Sequence, residues 1–349
     1  MKTKNFKSIW LPIIVLTLLA IFSSCKKEGP EGPEGPEGPQ GPTGGSIEIN
    51  DNLYNRWEVT DSSSTLKYIL INSDKSYYSL SEDNYGFKSF EHSLAIITAS
   101  QICFGDCFNY SINNDTLTLS NTDETILAVK NDSTPDNTQW VISVASIDSM
   151  NTPIKIMTDL TWDGQYLWYG NGYETNYLYK IDPITKSIDS IPTTNFAWAI
   201  EWDGQYLWTS SNGGATIYKV NATTGNNLFQ SISMGAWIKG IAWDGGQYLW
   251  CNSSNENTIY KYNETSDNVD EEINHNKQIL GMTYTNGYLY ICCDGMIYKC
   301  TTNPFKAVNS YNITAGSVNG ITYDGNHFWV SVSKYSSGNY TYKIHKISL

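Results

Sequence analysis

Arginine is almost absent from this chain: Arg56 is the only one in 349 residues, and lysine plus arginine reach 22 against 35 acidic residues, a formal net charge of −13. A surface of that sign repels phosphate backbones, which excludes nucleic acid as a partner. Histidine is nearly as scarce. His92, His275, His327 and His345 stand far apart, so neither a catalytic triad nor a metal-ligand spacing is legible, and no metal, cofactor or catalytic set is expected. Charged runs that favour helices are also missing, whereas Asn, Ser, Thr, Tyr and Gly abound. That is the composition of an all-β extracellular protein.

What is present begins at the N-terminus. Lys2, Lys4 and Lys7 precede an apolar run, Ile9 to Phe22, followed by Ser23, Ser24 and Cys25. The three parts match a secretory signal, and the run is shorter than the roughly 20 residues that cross a bilayer. The ending "IFSSC" resembles a bacterial lipoprotein lipobox, with Phe22 where that family usually has Leu. The resemblance implies a signal peptide over 1–24 and lipid on Cys25, hence a membrane partner through the anchor. Ordinary cleavage nearby with a free Cys25 is the plainer alternative. Behind it "KKEGPEGPEGPEGPQGPTGG" repeats Gly-Pro, a pattern of extended polyproline II backbone at about 3.1 Å per residue. The segment 25–46 therefore reads as a spacer reaching on the order of 50 Å. So few triplets do not hold a collagen triple helix together unaided, and a monomer is expected. The "KKE" opening resembles the charged signals of Bacteroidetes lipoproteins sent to the outer face of the outer membrane.

Self-similarity fixes the architecture of the C-terminal part. "LTWDGQYLWYG" from Leu160, "IEWDGQYLWTS" from Ile200, "IAWDGGQYLWCNS" from Ile241, "MTYTNGYLYICC" from Met282 and "ITYDGNHFWVSV" from Ile321 align. Their anchors Trp162, Trp202, Trp243, Tyr284 and Tyr323 recur every 40 residues or so, the length of one four-stranded propeller blade. Each unit reads as a hairpin turning at Asp-Gly or Asn-Gly, so Asp163, Asp203, Asp244 and Asp324 are turn residues. Third strands follow, from "LYKID" at Leu178 to "IHKIS" at Ile344, and fourth strands at 187–191, 228–233, 268–273 and 307–313. The last unit lacks one. "SIDS" at Ser146 to Ser149, a copy of "SIDS" at Ser187 to Ser190, is expected to supply it and to close a five-bladed β-propeller over 139–349.

Between spacer and propeller, 47–138 reads as strands separated by Asn/Asp turns, including the "NSDKSYY" and "INNDTLTL" hairpins. This order resembles the lipocalin-like domains of Bacteroidetes lipoproteins, implying a small β-barrel; whether it keeps a cavity stays open. The fold class is thus all-β, a small lipocalin-like barrel followed by a five-bladed propeller. Cys103 and Cys107 in "CFGDC" are placed to close a small disulfide in an oxidising compartment.

Propeller ligands gather at the central channel, lined by the first strand of each blade. Two residues ahead of each strand's Leu, Ile or Met lies the ring Thr158, Trp198, Lys239, Leu280 and Asn319; one residue ahead lies Asp159, Ala199, Gly240, Gly281 and Gly320. The first ring breaks repeat symmetry. Trp198, Lys239, Asn319 and Asp159, with Phe196 and Trp237 nearby, form the candidate ligand-binding set, blade packing being the plainer reading. The periodic tryptophans read as packing between blades.

The stretch "DLTWDGQYLWYGNGYETNYLYKIDP", Asp159 to Pro183, resembles the five-bladed glutamine cyclotransferase propellers. In that family an acid directly after the Leu-Tyr of one second strand is implied in proton transfer. Here those positions hold Tyr169, Thr209, Cys251, Ile291 and Val330, none of which can replace it. The family's Gln-Gly pair is also missing. The expected function is therefore a surface lipoprotein whose propeller binds a glycan, peptide or envelope protein without catalysis. A propeller enzyme of cyclotransferase or lyase type and a trimeric collagen-like adhesin are the rivals.

Overall fold

The computed structural model describes residues 49–349 apart from 62–63, 105, 132–141, 153–157, 173–174, 212 and 236. The signal, Cys25 and the Gly-Pro tract lie outside the described residues.

One short 3-10 turn, Asp51–Leu53, precedes a chain of β-strands. The first nine form one antiparallel sheet that rolls almost shut: Arg56–Val59 pairs with both Leu66–Ile71 and Thr125–Lys130, and the open seam lies between Lys88–Leu94 and Ile96–Ile97. Alternation turns Trp57, Ile69, Ile71, Tyr77, Phe108, Leu117 and Leu119 into the interior, which these side chains fill. Trp57 is buried with its indole N–H donated to the Leu53 carbonyl at 3.1 Å. Cys103 and Cys107 are disulfide-bonded across a tight hairpin.

The remaining sheets are five blades in a ring. Their inner strands are Leu160–Trp162, Ile200–Trp202, Ile238–Trp243, Ile279–Thr285 and Ser317–Tyr323, each against the next, with the last against the first. Second strands such as Leu167–Tyr169 are buried throughout, because both faces of a blade are covered by its neighbours. On the third strands Lys180, Lys219, Lys261, Lys299 and Lys346 lie over second-strand rings, for example Lys219 Nζ at 5.0 Å from the Trp208 centroid. The turn aspartates bind more than the turn: Asp163, Asp203 and Asp324 each accept an indole N–H five residues on, from Trp168, Trp208 and Trp329 at 2.6, 2.9 and 2.7 Å.

The fifth blade is completed from upstream. Asp148–Asn151 pairs antiparallel with Asn339–Ile347, Ser149 opposite His345 and Met150 opposite Ile344. A second upstream strand, Ile142–Val144, adds itself parallel to Phe305–Ile313 and makes the fourth blade five-stranded, a pairing with no counterpart in the sequence expectation. The same blade carries the barrel. Phe87 is buried among Tyr298, Cys300 and Ala307, and the Ala307 amide donates to Tyr85 O at 2.7 Å. Gly86 is required at this contact: its φ is +80° and a Cβ there would stand 2.4 Å from Ala307 O.

Candidate functional site

The inner strands run the same way around the axis, so the propeller has a mouth where they start and another where they end. Between the two the axis is packed. Gly281 and Gly320 let the strands crowd inward, since a Cβ on Gly281 would lie 2.5 Å from Gly320 Cα and 2.6 Å from Asp159 Oδ1. Asp159 fills the space that remains. It is 0% exposed, and its Oδ1 accepts the amides of Leu160 at 3.0 Å and Ile321 at 3.4 Å, tying the first blade to the fifth. Burial, and secondarily the nearby Glu201, hold its carboxyl well above the usual carboxylate range. Asp159 therefore sits as a plug inside the axis, with Gly281 and Gly320 of neighbouring strands against it and its Oδ2 buried without a hydrogen-bond partner.

At the strand-start mouth the other candidates do converge in part. Lys239 Nζ lies 5.2 Å from the Trp198 ring, and the indole rests over Gly172, whose Cβ would meet it at 3.1 Å. Lys239 is half-buried, and desolvation lowers its proton affinity. Among the described residues it is the one lysine of this stacking type on an inner strand; the others sit on third strands. Trp237 stands beside Gly213 with 42% of its surface exposed and a φ of +63°. A bulky residue in the left-handed region is strained; it is fixed there by Ser254, whose amide and hydroxyl both donate to the Trp237 carbonyl at 3.0 and 3.2 Å. Phe196 is 37% exposed, and Asn319 is half-buried on the fifth inner strand.

The strand-end mouth holds what the sequence reading passed over. A cavity of about 460 Å³ opens there, walled by the anchors Trp162, Trp202, Trp243, Tyr284 and Tyr323. Each anchor packs one part of its ring between blades and leaves part on the cavity. At its base is Glu201, 6% exposed. Its Oε2 accepts the Thr161 hydroxyl at 2.9 Å and its Oε1 the Trp243 amide at 3.0 Å, so one carboxyl links three consecutive blades. Burial raises its pKa to about 8. The signal was in the repeat: the column Thr161, Glu201, Ala242, Thr283 and Thr322 has one charged member, three residues further along the strands than the column containing Trp198 and Lys239.

The positions matched to the cyclotransferase acid, Tyr169, Thr209, Cys251, Ile291 and Val330, are all buried within blades. Cys251, Cys292, Cys293 and Cys300 are free thiols in the same interior, their proton affinities raised by burial.

The propeller is similar to that of glutaminyl cyclase from Myxococcus xanthus, with a TM-score of 0.50 and 10% identity over 59% of this chain and 97% of that one. A luciferin-regenerating enzyme aligns over 58% of this chain and 95% of its own, at 13% identity and a TM-score of 0.43. PQQ-bound aldose sugar dehydrogenase from Streptomyces coelicolor aligns over 59% and 98%, at 10% identity and 0.39. At such identities the likeness is one of fold. No family model and no curated protein matches the chain.

Proposed function

We propose that this is a surface lipoprotein, anchored through Cys25 and raised on the Gly-Pro spacer, whose propeller binds a carboxylated glycan at the strand-start mouth without transforming it. The observation that carries the reading is the pairing of Lys239 with the Trp198 face, two residues along the chain from an exposed Trp237 on left-handed backbone. Aromatic faces stack on the C–H faces of sugars, and a partly desolvated ammonium pairs with a carboxylate more strongly than a solvated one does. Strain retained at an exposed aromatic is a common mark of a functional position. Asp159 closes the channel below, which suits a mouth that holds a ligand and not a tunnel that passes one.

Glycan arrays probed with the exported protein test this. Carboxylated oligosaccharides are expected to bind, Trp198→Ala to weaken them at least about tenfold, and Lys239→Ala to abolish the preference over neutral analogues. Unchanged binding in both variants overturns the site. Lipid-probe labelling that persists in Cys25→Ala overturns the anchor.

A second reading, a proton-transferring enzyme, is favoured by one observation, the cavity-lining Glu201 with its raised pKa. Cyclisation of N-terminal glutamine peptides that disappears in Glu201→Gln would establish it in place of the first.

A further inference from the structure

Two departures from the five-fold repeat meet at the strand-end mouth. The first is Glu201, where the other blades have Thr or Ala. The second is a residue too many: the third blade reads "WDGGQYLW", so Asp244 stands six residues before Trp250, whereas Asp163, Asp203 and Asp324 stand five before their tryptophans. The extra glycine undoes the indole bond seen in those three blades. Asp244 Oδ1 still caps the turn, accepting the amides of Gly246 at 2.8 Å and Tyr248 at 3.1 Å. Its carboxylate no longer reaches the tryptophan, and Trp250 Nε1 is buried with no partner. Asp244 lines the cavity, joining Glu201 on its wall. A repeat that leaves one indole unsatisfied has lost stability in that blade, and the carboxylate it releases arrives where the other departure already put one.

The ionisable groups lining this cavity are all acids. Glu201 and Asp244 are its carboxyl-bearing lining residues among those described, and no lysine or arginine lines it. Three tryptophans and two tyrosines, the half-buried repeat anchors, line the same cavity. Aromatic faces with a buried carboxylate at the base suit a cation whose charge is spread over alkyl groups, because the ring quadrupoles and the apolar contact both favour it over a compact, strongly hydrated ion.

From this geometry we propose that the strand-end mouth is a second binding site, distinct from the glycan mouth, that takes a small organic ammonium between the anchor rings with Glu201 and Asp244 as its counter-charges. The titratable groups facing Glu201 are Asp159 on the adjoining inner strand and Asp203 on its own hairpin, and both are acids. Among the described residues no cation pairs with Glu201, so an arriving ammonium drives its proton off. Binding at neutral pH is therefore coupled to proton release.

Titration of the whole protein with tetramethylammonium chloride, at ionic strength held constant with sodium chloride, tests the site by tryptophan fluorescence and by calorimetry in buffers of different ionisation heat. Saturable quenching with net proton release at pH 7 is expected. Glu201→Gln, a close isostere of the protonated acid, should weaken binding about tenfold or more and remove the proton release. Asp244→Asn should weaken it a few-fold. Deleting Gly246, which restores the five-residue spacing and returns Asp244 to Trp250, should weaken binding while raising the unfolding midpoint; a gain in stability cannot come from a misfolded variant. No saturable change, equal affinity in Glu201→Gln, or uptake of calcium with none of tetramethylammonium would each overturn the proposal.

Discussion

The two ends of the propeller axis are made by the same five strands, yet they differ in charge, exposure and strain. The strand-start mouth presents a lysine on an indole, with aromatic rings open to solvent and one of them on left-handed backbone. The strand-end mouth presents two carboxyl groups among half-buried aromatics on regular strands. Asp159 keeps them apart. The repeat supplies position, and single residues that break it supply the chemistry, differently at each end because the columns of the alignment reach the two mouths separately.

The largest way to break this separation is to remove the plug. Asp159→Ala leaves two inner-strand amides without their acceptor and a hole on the axis, which should cost about 3–5 kcal/mol in urea unfolding, with Asp159→Asn well below that. Glu201 sharpens the contrast through pH. It binds its proton more tightly folded, at about 8, than unfolded, near 4.5, so folding takes up a proton within that window. Its contribution is fully present below the unfolded value and declines as pH rises toward 8. Glu201→Gln should therefore flatten the fall in stability between those limits, by on the order of 4 kcal/mol relative to the parent. At the opposite mouth Trp237→Gly and Trp237→Ala should both weaken glycan binding, and the Gly variant, free of left-handed strain, should be the more stable of the two by about 1 kcal/mol. Smallest of all, Lys239→Ala should shift stability by less than about 0.5 kcal/mol and leave the tetramethylammonium titration unchanged. A shift in that titration would mean the two ends communicate through the plug.

Much of the ring was legible in the residues. The anchors, the Asp-Gly turns and the third-strand lysines recur at one spacing, and the "SIDS" copy located the closing strand Asp148–Asn151 before any pairing was visible. Ile142–Val144 was not legible, since three residues paired in parallel leave neither a turn nor a period. The site was legible only as broken symmetry. That criterion reached Lys239 and Trp198, which meet, and Asp159, which is sealed, because burial there depends on glycines from other blades. Glu201 lay in a column read as strand interior, and the consequence of the additional glycine beside Asp244 emerges only once Trp250 is seen without a partner.

The latch between Asp148–Asn151 and Asn339–Ile347 joins the most distant stretches of sequence of any sheet in the propeller. Loop-closure entropy rises with that separation, so contacts among neighbouring blades form from short loops first and the latch engages last. A force applied at Leu349 would peel this hairpin before any other blade, and the first unfolding step under tension would be the opening of a ring into an arc.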